Sequence, residues 1–184
     1  MYFHRTKYIL IFCVFLLASC ASSEQVLTAT PLPVATPLPI TPTVESCAFV
    51  EATQDLPDVS AQVDSAIKEI QPDSSGRAEA YGENCVYASG GQSTFSAMET
   101  DFYFTINVRK LNDNTELGTW VVNAMNIIQA LPPSAILGPQ AGFIEFTFQT
   151  KDDQKSLRIP IDKYKNLPTD INPSDLIPTL FPNP

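Results

Sequence analysis

The chain predicts an α+β fold: a two-layer sandwich of order αββαββ, with two helices on one face of a four-stranded, mostly antiparallel sheet. Three observations lead there. Val59, Val63, Ala66, Ile67 and Ile70 recur at helical spacing, as do Leu117, Val121, Ala124, Ile128 and Leu131, and a proline closes each run. Other segments alternate instead, with Phe102, Phe104, Ile106 and Val108 on one parity, then Ile144, Phe146 and Phe148, then Leu157, Ile159 and Ile161. With 184 residues, the chain has room for one ordinary core and appendages, and both helices can then cover the apolar side of a single sheet.

The elements follow in order. Asp55-Leu-Pro-Asp58 starts the first helix, with acidic residues in the first turn and a proline where its missing donor is harmless; Gln71-Pro72 ends it. Residues 76–87 and 95–110 form a hairpin across the glycine-containing loop 88–92. In the first of these strands small residues (Ala78, Ala80, Gly82) hold one parity and mixed residues the other, which leaves its inward face, and the roles of Tyr81 and Tyr87, unassigned. Asn112 to Glu116 supply caps for the second helix, which Pro132-Pro133 stops, and Trp120 borders its apolar stripe as a core residue. Residues 142–150 and 155–161 form a second hairpin around the polar loop 151–154. Pro160 cannot donate to a ladder, so the last strand belongs at a sheet edge. The order resembles a circular permutation of the ferredoxin-like fold, in topology alone, and such a resemblance implies no function.

Before this domain (47–165) lie two other regions, and after it a tail (166–184). Arg5 and Lys7 precede an apolar run from Tyr8 to Ala18 that is shorter than the roughly 20 residues needed to span a bilayer, which is the plan of a secretory signal over residues 1–19. Leu17-Ala18-Ser19-Cys20 resembles the lipobox of bacterial lipoproteins. The resemblance implies cleavage before Cys20, two or three acyl chains on its thiol, and a location on the outer side of a cell membrane, held by the lipid. Residues 20–46 continue as a linker in which Pro31, Pro33, Pro37, Pro39 and Pro42 crowd together, a semi-extended spacer reaching at most roughly 75 Å. The tail carries five prolines along with Leu176, Ile177, Leu180 and Phe181, and reads as an extended segment laid along the body.

Cleavage before Cys20 would remove His4, the only histidine, and with Arg5 and Lys7 gone the formal charge would move from -9 to -11. A chain without histidine has no Ser-His-Asp triad, no Cys-His pair and no His-bound zinc. The acidic balance argues against nucleic acid as a partner, because phosphate backbones select clustered Lys and Arg. No glycine-rich phosphate loop is present, and no cofactor motif. Of the cysteines, Cys13 leaves with the signal and Cys20 takes the lipid, so Cys47 and Cys85 are expected to be bridged in an oxidising compartment.

What remains is a sheet face and some carboxylates. The side of the sheet away from the helices should present Tyr103, Thr105, Asn107, Arg109, Phe143, Glu145, Thr147, Gln149 and Arg158, a surface suited to an envelope protein, a glycan or a second copy of the chain. Glu79 and Glu83 lie roughly 13 Å apart along a strand, too far to cooperate, whereas Glu99 and Asp101 are about 7 Å apart on one face. Asp113, in Asn112-Asp113-Asn114, lacks the glycine and closing Glu of an EF-hand loop and reads as a cap. The leading expectation is therefore a lipid-anchored, non-enzymatic binding or accessory module. The alternatives are a carboxylate-dependent hydrolase or calcium-binding protein using Glu99 and Asp101, and a structural or self-associating envelope spacer.

Overall fold

The computed structural model describes residues 46–91 and 94–182. The expected signal peptide (1–19), the expected lipid attachment at Cys20 and the expected linker up to residue 45 lie outside the described residues. The domain is α+β, with element order β1 (Cys47–Asp55), α1 (Pro57–Ile70), β2 (Ser75–Tyr87), β3 (Ser96–Asn107), α2 (Asn114–Ala130), a 3-10 turn at Pro133–Ala135, β4 (Gln140–Gln149), β5 (Gln154–Pro160), α3 (Ile161–Lys165) and α4 (Pro173–Leu180).

Its single sheet is five-stranded and mixed, in sequential order β1-β2-β3-β4-β5. The β1–β2, β2–β3 and β4–β5 pairs are antiparallel and β3–β4 is parallel. This corrects the four-stranded αββαββ expectation at its start, where β1 precedes the first helix. It also removes the ferredoxin-like likeness, since that fold needs a split β-α-β unit with a strand between the two that a helix joins. Here β1 and β2, joined by α1, are direct neighbours, as are β3 and β4, joined by α2. A 17-residue helix between β3 and β4 carries the chain back along the sheet, so β4 re-enters parallel to β3.

The core lies between the sheet and the helices. Phe102, Phe104, Ile106, Ile144, Phe146, Phe148 and Ile159 are all buried against Val63 and Ile67 of α1 and Leu117, Val121 and Met125 of α2. Phe104, Phe146 and Phe148 form a stacked row with centroids 5.9 and 5.1 Å apart. Each such side chain contributes roughly 1.5–3 kcal/mol by leaving water. On β2 the small parity faces inward, with Ala78 and Ala80 buried, because α1 lies close over it: Ser60 Oγ donates to the Ala78 carbonyl and accepts from the Ala78 N–H.

The C-terminal segment departs from the expected extended tail. Asn172 precedes α4, Pro173 occupies its first turn, and Leu176, Ile177 and Leu180 are buried in the same core. This helix packs on α2 where Gly118 leaves no side chain, so close that a Cβ there would overlap the Pro173 carbonyl. Among the described residues no helix is long and apolar enough to cross a membrane.

Candidate functional site

The sheet face opposite the helices is built by alternation. Positions next to buried core residues point the other way, so β3 presents Tyr103, Thr105 and Asn107, β4 presents Phe143, Glu145, Thr147 and Gln149, and β5 presents Arg158. The parallel register sets Tyr103 beside Glu145, Thr105 beside Thr147 and Asn107 beside Gln149. Glu145 then stands opposite Arg158. Every predicted residue of this face but one is therefore brought together. Arg109 is the correction: it lies beyond the end of β3, its side chain pairs with Glu116 of α2 at 3.3 Å, and it lines a helix-side cleft of about 540 Å³ with Ile70, Gln71 and Trp120. Asn107 has structural work as well, its amide donating to the Asp73 carbonyl in the loop after α1.

β2 supplies residues that sequence reasoning left unassigned. Arg77 stacks 3.8 Å from the Tyr103 ring centroid and pairs with Glu79. Tyr103 meets Phe143 edge-on at 5.7 Å, and Arg158 lies 3.6 Å from the Phe143 centroid. The result is a continuous row, Arg77–Tyr103–Phe143–Arg158, crossing three strands and β5. The signal for β2 was present in its small residues, whose parity must face a closely packed helix.

Around this row the face is acidic. Glu51 of β1 stands opposite Glu83, Asp55 opposite Glu79, and Glu79 in turn opposite Asp101 of β3. Like charges directly opposite repel, so this arrangement costs stability unless cations approach. The Tyr81 hydroxyl is held by Glu51, and that bond, with Glu83 and Glu99 nearby, pushes its titration above the usual tyrosine range. Tyr103 is also raised, first by burial and then by Glu79.

Asp101 is the exception on this face because it is buried, at 4 % exposure. Burial pushes its carboxyl up to about 6; the Phe143 N–H donating to Oδ1 at 3.1 Å opposes that rise, and the charge of Glu99 adds to it. A shift in the β3–β4 register between Thr100 and Phe102 accompanies this contact, and Gly142 leaves the room that Asp101 fills. Glu99 and Asp101 do share a side of the sheet, yet among the described residues no group of three His, Cys, Asp or Glu side chains is placed to hold a metal ion.

At the outer end of the same sheet, Cys47 of β1 and Cys85 of β2 are joined as a disulfide with Cα atoms 5.4 Å apart, closing a span of 38 positions. Asp113 serves as the α2 N-cap, accepting from the Thr115 and Glu116 N–H groups at 3.1 Å. Trp120 is half-buried against the core and lines the helix-side cleft.

Comparison with protein-family models, with curated proteins and with solved structures finds no match for this chain.

Proposed function

We propose that this chain is a lipoprotein anchored through Cys20 on the outer side of a cell membrane, whose folded domain is a non-enzymatic binding or accessory module of the cell envelope. Its support at the N-terminus is the basic-apolar leader ending in Leu17-Ala18-Ser19-Cys20, followed by the proline-rich spacer. The observation that carries the binding role is the Arg77–Tyr103–Phe143–Arg158 row, where aromatic rings and guanidinium groups stand among carboxylates on a sheet face. Such a surface offers stacking, hydrogen bonding and charge of both signs to a protein or a glycan.

Chemical crosslinking in the native host tests the binding role. A partner should be captured by the wild-type chain and lost with the Tyr103→Ala/Arg158→Ala double variant; equal capture by both would remove the open face from consideration. The anchor is tested by mass measurement, with a chain that begins at an acylated Cys20 expected, and a retained Met1 to Ser19 counting against it. The carboxylate reading ranks second, because Asp101 is buried and already engaged by the Phe143 N–H. A calcium titration followed by thermal melting would revive it if the midpoint rose.

A further inference from the structure

The two edges of the sheet are treated differently. β5 is closed off by features that discourage pairing: Pro160 lacks a donor, Arg158 is charged and exposed, and α3 follows at once. β1 also leads straight into a helix, α1, and carries the exposed acids Glu51 and Asp55, but its sequence CAFVEATQD has neither a proline nor a basic side chain. Among the described residues its only hydrogen-bonded neighbour is β2. Phe49 and Val50 are 68 % and 50 % exposed on its opposite faces.

The direction of its backbone groups follows from the ladder. The Leu56 N–H donates to the Ala78 carbonyl, and the uninterrupted β1–β2 register continues that pair through Gln54–Ala80, Ala52–Gly82 and Val50–Asn84. Antiparallel ladders alternate, so these even positions turn their N–H and C=O groups toward β2, and Phe49, Glu51 and Thr53 turn theirs outward. The side chains of the outward positions share the sheet face of Glu79 and Glu83. Across β1 and β2 the carboxylates stand opposite one another, Glu51 with Glu83 and Asp55 with Glu79, and the only cation paired to any of them is Arg77 among the described residues. The disulfide already holds β1 to β2, so little freedom is left to lose when another strand is added.

We propose that the outer edge of β1 docks an extended, basic segment of a partner protein as a sixth, antiparallel strand. Main-chain bonds would run to Phe49, Glu51 and Thr53, lysine or arginine at alternate positions would meet Glu51 and Asp55, and apolar residues of the other parity would cover Val50 and Ala52. A second copy of this chain fits poorly, because pairing β1 with itself would bring two acidic faces together on a molecule of net charge -9. This proposal rests on reading the domain as a binding module, and it locates the contact at an edge.

The test uses the isotope-labelled full chain and a blocked synthetic peptide of alternating lysine and valine, matched in length to β1. Amide exchange at Phe49, Glu51 and Thr53 should slow by at least about tenfold on adding the peptide, the effect should weaken with salt, and an alternating glutamate–valine peptide should do nothing. Thr53→Pro removes an outward donor and should weaken binding by about tenfold or more. Because a proline can also disturb the strand, the Glu51→Lys/Asp55→Lys variant provides the second arm: it should reverse the preference toward the glutamate–valine peptide. Outward amides that exchange slowly before any peptide is added would overturn the proposal, since a second copy or an upstream segment would then occupy the edge. So would unchanged exchange in β1 with the peptide present. If the peptide instead perturbs Tyr103, Phe143 and Arg158, the edge is excluded and the open-face reading stands; if it perturbs neither, the edge falls and the crosslinking experiment alone judges the binding module.

Discussion

Arg158 and Phe143 form one unit across the β4–β5 pair: the guanidinium lies 3.6 Å from the ring centroid while its Nε reaches Glu145 at 3.3 Å. Glu145 fixes the guanidinium from one side and the ring supports it from below. Replacing Arg158 by Ala should uncover Phe143 and cost only about 0.5–1 kcal/mol, because the pair is largely solvated. Denaturant unfolding checks it, and a loss above about 2 kcal/mol would mean that the row holds the sheet together as well as furnishing its surface.

Asp101 predicts a pH dependence of unusual sign for a carboxylate. Its folded value, about 6, stands above the ordinary 3.8, so the folded state binds the proton more tightly than the unfolded state does. The contribution to stability is therefore greatest below about pH 4, declines as pH rises toward 6, and stays flat above. A carboxyl raised this far sets a ceiling of about 3 kcal/mol on the penalty at neutral pH. Asp101→Asn keeps an oxygen for the Phe143 N–H and should abolish that decline between pH 4 and 6. Unfolding curves in which the variant keeps the wild-type slope would assign the effect to another group.

Reducing the Cys47–Cys85 bond, or replacing both residues by Ser, should lower stability by about 4 kcal/mol on the chain-entropy account of a loop spanning 38 positions. Thermal melting of the full chain with and without reductant measures it. The first part to loosen should be β1, which amide exchange at Ala48, Val50 and Ala52 would register.

Gly118→Ala separates two opposed effects. In an exposed helix interior the change favours folding by about 1 kcal/mol. Here the added methyl would run into the Pro173 carbonyl and push α4 away from α2, uncovering Leu176 and Leu180. The expected outcome is a loss of about 1–3 kcal/mol, and a gain in melting temperature would show that α4 contributes little to the core.

Legibility followed burial. Both long helices were readable because proline and an Asp cap mark their ends, and Asp113 caps α2 as its sequence context implied. The inner strands were readable because Phe102, Phe104, Ile106 and Ile144, Phe146, Phe148 must all face one core. Strand β1 was not: it is exposed along most of its length, so packing imposes no alternation on CAFVEATQD. Helix α4 was hidden by its prolines. Pro173 sits where helices accept it, but Pro178 stands inside an eight-residue helix held by Leu176, Ile177 and Leu180 against the core, a tertiary contact that overrides local propensity. The site was half legible for the same reason: β3, β4 and β5 disclosed their outward residues, whereas Arg77 and Glu79 waited on knowing that α1 presses on Ala78 and Ala80.

The position of the disulfide has a mechanical consequence. A pull arriving from the N-terminal side meets Cys47 and passes at once into Cys85, so the load enters the second strand and the first cannot be unzipped from its leading residue. Whatever drags on the molecule from that side must therefore move both strands at once.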